Sequence, residues 1–306
     1  MEKGNYGTTK KEEQEQPEGF AAVLLDELPE GCIAKIVSLT TPADACRLSC
    51  VSTAVKSAAA SDYVWSNFLP TDYQTILSRS TEPHDLSSLS FSSKKQLFTY
   101  LSHNPILIDE GKKSFSLDKW SGKKIYMIAP RALQVVWGDT PAYWQWISHP
   151  ESRFKEVARL NFVWWFEIRG KIRTSELSLN TNYAAYLVFK LQDEAYGFDY
   201  YPAEVSLALG ADELCSKSVL LDPMIEGRPP GRRFWHWYEP DTIDLSALSR
   251  LEHPKERADG WLEIEIGDFF NRYGDDEMEM KVMEVQAGVA KSGFILQGIE
   301  IRPKAE

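Results

Sequence analysis

The sequence "LPEGCIAKIVSLTTPADACRLSCVSTAVKSAAASDYVWSNFLP", residues 28–70, determines the architecture of the N-terminal part of this 306-residue chain. Apolar residues recur in it at intervals of three and four, which predicts short amphipathic helices. Pro29 fits the opening turn of the first helix, and Pro70 ends the last. Ser61 and Asp62 interrupt the pattern between the third helix and the fourth. We therefore predict four short helices.

The second of these helices has a well-marked start. Thr41 is a favoured capping residue and Pro42 fits the first helical position. The carboxylate of Asp44 falls in the first turn, where the helix dipole favours negative charge. The residues predicted to form the buried stripe of this helix are Ala45, Leu48 and Val51.

The four helices are too short to bury much apolar surface, so a unit of this size has little stability by itself. Leu28, Ile33 and Trp65 are apolar residues that we expect the unit to leave for a partner protein to cover. The alternative is a small helical domain whose core is self-contained.

The order of these features resembles an F-box. The Leu-Pro entry, the Pro-x-Asp helix start, the Leu-Ser-x-Val-Ser run and the closing Trp have the order and spacing of that family. F-boxes bind a Skp-type adaptor within a cullin-based ubiquitin ligase, so the resemblance implies an adaptor and, through it, a cullin as partners. The residues that it implies for docking the adaptor or supporting the docking surface are Leu28, Pro29, Ile33, Ile36, Pro42, Leu48, Val51 and Trp65.

The composition changes on both sides of this unit. Residues 1–18 are polar and charged with almost no aliphatic side chains, which predicts a disordered tail. We assign residues 19–70 to the F-box-like unit and residues 71–112 to a helical connector, which contains a Ser-rich lead and a helical pattern around Leu101. The next domain is predicted at residues 113–306.

Residues 113–306 have the composition of β-strands. The segments KKIYMIAP, LNFVWWFEIRGKI, YAAYLVFKL, WLEIEIGDFF and MEMKVMEVQ are β-branched and aromatic runs separated by Gly, Pro, Asn and Asp. Regular helices do not alternate with them, which disfavours a parallel sheet of βαβ units and favours an antiparallel sandwich. The predicted fold class is multidomain α+β, a small helical domain followed by a jelly-roll-like antiparallel β-sandwich.

The segment WGDTPAYWQW, residues 137–146, combines three tryptophans and a tyrosine with turn-forming residues. An indole packs well on the CH-rich face of a sugar, and neighbouring polar groups can bind the sugar hydroxyls. This composition is therefore typical of a shallow carbohydrate site. The alternative is that all three indoles belong to the core, since Trp is highly buried on average. We assign Trp146 and the pair Trp164–Trp165 to the core or to structural faces.

The C-terminal zone resembles the phloem protein 2 family of Nictaba-like plant lectins. The resemblance rests on ALQVVWGDTPAYWQW, EVARLNFVWWFEIRGKIRTSELSLNTNYAAYLVFKL, DGWLEIEIGDFFN and EMEMKVMEV…KSGFILQGIEIRP, which occur in the order of that family. It implies a β-sandwich with a site for N-acetylglucosamine-containing glycans. A fusion of an F-box to this domain is a recognised plant architecture. The residues implied for carbohydrate binding are Trp137, Trp144, Glu277 and Glu284.

Two features of this sequence depart from the lectin pattern. Strict alternation puts Glu277 and Glu284 on opposite strand faces, so either a bulge lies between them or one of them is structural. The stretch MIEGRPPGRRFWHWYEP also lacks the lysine cluster that the lectin uses as a nuclear-import signal. The resemblance therefore does not imply nuclear entry.

The whole-chain composition narrows the class of protein. A net charge of −11 argues against broad binding to phosphate backbones. No apolar run is long enough to span a membrane, and the N-terminus has no secretory signal. Four cysteines without an export signal predict free thiols. We expect a protein of the cytoplasm, the nucleus or both, without nucleic-acid or membrane partners.

Sequence features of catalysis are scarce. The chain has no GxGxxG, Walker, CxxC, HExxH or GxSxG motif, and we expect neither a metal nor a cofactor. Cys46 and Cys50 share a helix face and are predicted to be buried small apolar residues. Glu263 and Glu265 share a strand face, as a glycosidase pair could, although a solvated outer face is much commoner.

These observations predict a non-catalytic substrate receptor of a Skp–cullin–F-box ubiquitin ligase. Its lectin domain would select glycoprotein targets, those with N-acetylglucosamine-containing glycans, for ubiquitination. One alternative is a receptor that recognises a protein target through a sandwich with a vestigial sugar site. Another is a glycan-modifying enzyme, for which only Glu263 and Glu265 argue.

Overall fold

The computed structural model describes residues 25–81, 91–198, 200–223 and 245–304. The predicted tail at residues 1–18 and the stretch at residues 224–240 that lacks the lysine cluster lie outside the described residues. Within the described ranges, no helix has both the length and the apolar composition needed to cross a membrane.

The N-terminal unit contains the four predicted helices. They follow a short 3-10 turn at Leu25–Glu27 and are α1 (Glu30–Ser38), α2 (Pro42–Leu48), α3 (Thr53–Ala60) and α4 (Asp62–Phe68). The Thr41 hydroxyl accepts a hydrogen bond from the Asp44 backbone N–H at 3.1 Å, which confirms the predicted cap of α2. The prediction for Val51 is wrong, because α2 ends at Leu48 and Val51 is 66% exposed.

Two further residue predictions for α2 and its surroundings are also wrong. Cys46 and Cys50 are both exposed rather than buried. The Cys50 thiol donates to the Cys46 carbonyl oxygen at 3.8 Å, across one turn at the helix end. These cysteines therefore lie on the solvent side of the unit.

The core of the helical unit is covered by the rest of the chain. Ile33 and Trp65 are buried, so the prediction that a partner protein must cover them is wrong. In the described part of the connector, the helices α5 (Tyr73–Ser78) and α6 (Lys94–His103) follow the unit. The Trp65 ring lies 5.2 Å from the ring of Phe98 on α6, and its indole N–H donates to the Ala59 carbonyl oxygen at 2.8 Å.

The described residues of the β-domain form fourteen strands, and the pairings between these strands are antiparallel, which confirms the predicted sandwich class. Its first strand begins at Ile106, before the predicted boundary at residue 113. The strands are β1 (Ile106–Ile108), β2 (Lys113–Leu117), β3 (Lys124–Ile128), β4 (Gln134–Val135), β5 (Trp144–Ile147), β6 (Val157–Leu160), β7 (Phe166–Arg173), β8 (Thr181–Tyr196), β9 (Ala203–Leu209), β10 (Asp212–Val219), β11 (Lys255–Glu256), β12 (Leu262–Asn271), β13 (Glu277–Glu284) and β14 (Ser292–Pro303). A short helix, α7 (Leu245–Leu248), lies between β10 and β11.

Two sheets face each other. The larger has the order β1-β2-β3-β14-β8-β12-β11, with β6 beside β14 and β5 beside β6, and the smaller has the order β10-β9-β13-β7-β4. Alternate residues of each sheet point inward, which gives the interior its apolar composition. The inward residues of the central strands include Tyr183, Leu187, Phe189, Phe294, Leu296, Phe166, Ile168, Met278, Met280 and Val282.

The helical unit and connector cover one end of the sandwich. Arg79 directly follows α5 and pairs with Asp109 at 2.6 Å. It also pairs, at 3.4 Å, with Glu176, which lies beyond the end of β7. The same Glu176 accepts from Lys113 of β2 at 2.6 Å. The Arg79 guanidinium lowers the pKa of the Asp109 carboxyl, so this pair stays charged at neutral pH. The two parts of the chain therefore meet where β7 ends.

Candidate functional site

The helical unit has an apolar surface that the rest of the chain leaves open. Of the eight residues that the F-box resemblance implies for the adaptor, Pro29, Ile36 and Val51 are exposed, and Leu28 and Leu48 are half-buried. Ile33, Pro42 and Trp65 are buried and support the surface from beneath. Leu39, which follows α1, is 74% exposed, although the resemblance did not single it out. We name Ile36, Leu39 and Val51 the adaptor face.

Trp144 and Trp146 hold the backbone of the turn that precedes them. Trp144 is 1% exposed, and its indole N–H donates to the Val136 carbonyl oxygen at 3.2 Å. The Trp146 indole N–H donates to the Gly138 carbonyl oxygen at 2.9 Å. The expectation that Trp144 presents a stacking face is therefore wrong in this structure. The structural role assigned to Trp146 agrees with this contact.

Trp137 lies in this turn, and its indole is exposed to solvent. It is 45% exposed and has a φ of 58°, in the left-handed region that non-glycine residues rarely adopt. The hydrogen bonds from Trp144 and Trp146 to its neighbours hold the backbone there. The Trp137 ring packs on Tyr143 with centroids 5.4 Å apart and planes 39° apart. One face of the indole is thus supported by Tyr143.

Trp164 and Trp165 are exposed, so their assignment to the core is wrong, while the alternative of a structural face stays a prediction. They lie in the loop before β7, where no strand covers them. The Trp165 indole N–H donates to Glu167 at 2.7 Å, and the Arg169 guanidinium donates to the other oxygen of Glu167 at 2.6 Å. Burial raises the pKa of the Glu167 carboxyl, but these two donors outweigh burial and lower it. Glu167 is therefore a fixed negative charge.

Trp137 and Trp165 lie at the same end of the sandwich. The backbone N–H of Val136 donates to the Glu167 carbonyl oxygen at 3.1 Å, which extends the pairing of β4 with β7. Trp137 follows in the turn after β4, and Trp165 directly precedes β7, so both indoles lie where β7 starts. We name this end of the sandwich, with the exposed Trp137 and Trp165, the supporting Tyr143 and the buried Glu167, the aromatic end.

Glu284 is a structural residue. Its register with β7 continues from Glu277 to Glu284 without a bulge, so the two glutamates do lie on opposite faces. Glu284 is buried and pairs with the fully buried Lys291, and its carboxylate accepts from the backbone N–H of Gln286 at 3.0 Å and of Ala287 at 2.9 Å. Glu284 therefore lies in the interior and not on the surface that the carbohydrate-binding role implies.

Glu277 lies far from the aromatic end. It pairs with Arg173, whereas Met283 of the same strand pairs with Glu167. Six residues of strand span roughly 20 Å, so the Glu277 carboxylate does not reach a ligand on Trp137. Glu277 is exposed, and it accepts a hydrogen bond from Lys171 at 2.9 Å. The structure therefore does not bring together the four residues implied for sugar binding.

Sequence reasoning missed Glu167 and Lys291. Glu167 alternates with Arg169 and Lys171 on the outer face of β7, so the parity of the charged residues was an available signal. Lys291 follows an Ala-rich loop, and nothing in that composition predicts a fully buried ammonium group. Its Nζ donates to the Val289 carbonyl oxygen at 2.7 Å and to that of Trp164 at 3.1 Å, which joins two loops beside the aromatic end.

Glu263 does not have the properties of a glycosidase acid. It forms part of an ion network and accepts from Arg302 at 2.6 Å and from Arg257 at 2.8 Å. Burial raises the pKa of the Glu263 carboxyl, but the two guanidiniums outweigh burial and lower it. A general acid needs a raised pKa. Among the described residues, no group of His, Cys, Asp and Glu side chains could hold a metal ion.

Comparison with known families identifies both parts of the chain. The profile described as F-box domain matches residues 25–67, where the four helices and the adaptor face lie. The profile described as Phloem protein 2 matches residues 123–303, which contain most of the sandwich and the whole aromatic end. The chain belongs to the phloem protein 2 family and carries an F-box.

Relatives in Arabidopsis thaliana share this architecture. One F-box protein is 45% identical over 91% of this chain and 80% of its own length. F-box protein PP2-B1 is 41% identical over 91% of this chain and 90% of its own length. Among solved structures, a family 35 carbohydrate-binding module from Clostridium thermocellum aligns with 59% of this phloem protein 2 chain and 98% of the module, with 5% identity and a TM-score of 0.29.

Proposed function

We propose that this chain is the non-catalytic substrate-recognition subunit of a Skp–cullin–F-box ubiquitin ligase. The F-box binds the adaptor, and the sandwich binds the target. Such a receptor accelerates ubiquitin transfer by raising the effective concentration of the target near the ubiquitin-charged enzyme. The expected partners are a Skp-type adaptor, through it a cullin, and the target.

The observation that carries this proposal is the placement of the two exposed surfaces. The F-box covers the end of the sandwich where β7 finishes, and the aromatic end lies where β7 starts. β7 is eight residues long, so the two ends are about 26 Å apart. A target held at the aromatic end leaves the adaptor face free, as a receptor that binds both at once requires.

For the target, we propose a glycoprotein whose N-acetylglucosamine-containing glycan docks on the aromatic end. Trp137 and Trp165 would stack on sugar rings, and the buried Glu167 carboxylate would hold the Trp165 indole in place. Tyr143 and the two indole hydrogen bonds to the turn hold Trp137 in place before a ligand arrives. Such preorganisation favours binding, because less side-chain entropy is lost.

The second candidate is a receptor for a protein target with a vestigial sugar site. The burial of Trp144 and Glu284 and the distance of Glu277 favour it, since Trp137 alone of the four residues implied for carbohydrate binding lies at the aromatic end. Exposed tryptophans beside an arginine such as Arg169 also suit a protein interface, where both residue types are enriched.

The adaptor face is tested by the double substitution Ile36→Asp and Val51→Asp in the full chain. Two carboxylates placed in an apolar interface lose hydration without gaining partners, so we expect at least about a hundredfold weaker binding to a purified plant Skp-type adaptor. Isothermal titration calorimetry measures the affinity. The matched control is Leu214→Asp, which adds a charge at an exposed apolar residue on β10. Wild-type affinity of the double variant would disprove the assignment of this face.

The aromatic end is tested by titrating the full chain with chitotriose. Each of Trp137→Ala and Trp165→Ala should weaken binding by roughly tenfold, because one stacked indole contributes on the order of 1–3 kcal/mol, by analogy with base stacking. The control variant is Trp120→Ala, which removes an exposed indole at the F-box end. A wild-type chain that binds no glycan, or Trp variants that bind like wild type, would favour the protein-target candidate.

A further inference from the structure

The turn between β2 and β3 carries an exposed tryptophan that neither the F-box nor the aromatic end accounts for. Trp120 is 58% exposed, and the Nζ of its neighbour Lys119 lies 5.0 Å from the centre of its ring. The turn belongs to the sandwich in sequence, but it lies against the F-box. Its position raises the question of what the indole contacts.

Several contacts fix this turn on the F-box. The Ala43 backbone N–H donates to the Trp120 carbonyl oxygen at 3.5 Å. Gly122 has a φ of 72°, and a Cβ there would lie 2.9 Å from the Phe68 carbonyl oxygen and 3.4 Å from the Pro42 ring. The turn thus fits between the start of α2 and the end of α4, and only glycine permits that approach.

The turn is also rigid in itself. The Asp118 carboxylate accepts from the backbone N–H of Ser121 at 2.8 Å and from its hydroxyl at 2.6 Å. The Gly122 backbone N–H donates to the Asp118 carbonyl oxygen at 2.8 Å. Trp120 is therefore an exposed indole on an ordered support, so its backbone loses little entropy when the indole is covered by a partner.

Trp120 lies beside the start of α2. The carbonyl of Trp120 meets Ala43, which is four residues after the exposed Leu39, at the corner where α1 ends and α2 begins. The aromatic end is at the other end of β7, about 26 Å away. The indole thus lies on the F-box side of the sandwich, away from the surface proposed for the target.

We propose that Trp120 enlarges the adaptor face, so that the phloem protein 2 domain contributes one tryptophan to the contact with the Skp-type adaptor. The occupant is an apolar patch of the adaptor that already covers Leu39. This inference rests on the proposed function, and it adds that adaptor affinity depends on the sandwich as well as on the F-box. Trp is among the residues that dominate interface energetics.

The test is Trp120→Ala in the full chain, titrated calorimetrically with a purified plant Skp-type adaptor. We expect about tenfold to hundredfold weaker binding, with partial recovery in Trp120→Phe, which keeps an aromatic face. The control is Trp164→Ala, an equally exposed indole near the aromatic end, which should bind the adaptor like wild type. Melting temperatures of all three variants should match that of the wild type.

The outcomes separate this inference from the proposed function. Wild-type adaptor affinity of Trp120→Ala, alongside lost binding by Ile36→Asp with Val51→Asp, overturns the inference and leaves the proposed function standing. Failure of the wild-type chain to bind any adaptor overturns both. Unchanged adaptor affinity together with weaker target ubiquitination would make Trp120 a target contact and also overturns the inference.

Discussion

Trp144→Ala should lower the free energy of unfolding of the full chain by about 3–5 kcal/mol, the cost typical of truncating a buried Trp. The substitution empties a fully buried site beside Phe166, whose ring centre lies 6.3 Å from that of Trp144. It also leaves the Val136 carbonyl oxygen without its indole donor. Thermal denaturation should show a fall in melting temperature on the order of 10 °C.

The matched control is Trp137→Ala, seven residues earlier in the same segment. Trp137 is half-exposed, so its truncation should cost under about 1 kcal/mol and leave the melting temperature nearly unchanged. If the Trp144 variant melted like wild type and lost only glycan binding, Trp144 would be a ligand residue and not a structural one. The paired measurement therefore separates a structural indole from a binding one.

Local sequence signals were sufficient to predict the helices. The Thr41–Pro42–Asp44 start depends on contacts within one turn, and the Thr41 cap forms as predicted. The same holds for the sandwich class, since alternation and turn residues along each strand are local. Predictions that needed only neighbours in sequence were confirmed, because those neighbours are also neighbours in the fold.

The tryptophans show where local signals fail. Trp144 and Trp146 have the same strand parity, and the sequence does not show that their N–H groups face the backbone at Val136 and Gly138. Trp164 and Trp165 sit in an apolar run that predicts a buried strand, yet β7 begins only at Phe166. Burial of each indole depends on loops and strands that are distant in sequence.

The prediction that a partner protein covers Trp65 failed for a related reason. The sequence argument treated residues 28–70 as a separate unit, and such a unit has too little apolar surface to cover its own core. Phe98 of α6 supplies the missing cover, and Gly122 brings the β2–β3 turn against the same helices. The F-box core is thus completed by segments that the sequence assigned to other domains.

For the two glutamates of β13, the sequence could predict the strand face of each side chain but not all of its contacts. Parity alone placed Glu277 and Glu284 on opposite faces, and the regular register confirms it. Parity also indicated the structural one, because Glu284 shares its strand face with Met278, Met280 and Val282, which are buried. Parity could not show the partner of its charge, Lys291, which lies in the connection to the next strand. The buried ammonium group makes Glu284 the structural member of the pair.

Glu284→Gln should lower the free energy of unfolding by about 3–5 kcal/mol, because it leaves the fully buried charge of Lys291 without its counter-ion. The control is Glu277→Gln on the same strand. Glu277 is exposed and its pairing with Lys171 is screened by water, so this change should cost at most about 1 kcal/mol. Urea denaturation of both variants measures the difference, and equal stability of the two would contradict a structural role for Glu284.

The double variant Glu284→Leu with Lys291→Met removes both buried charges together. Replacing a buried ion pair by apolar side chains of similar volume is often neutral, so most of the stability lost in Glu284→Gln should return. Recovery should be incomplete, since the carbonyl oxygens of Val289 and Trp164 lose the ammonium donor that joins their loops. If the double variant were less stable than Glu284→Gln alone, the pair would contribute more than charge compensation. The loop contacts made by Lys291 would then be the larger source of stability beside the aromatic end.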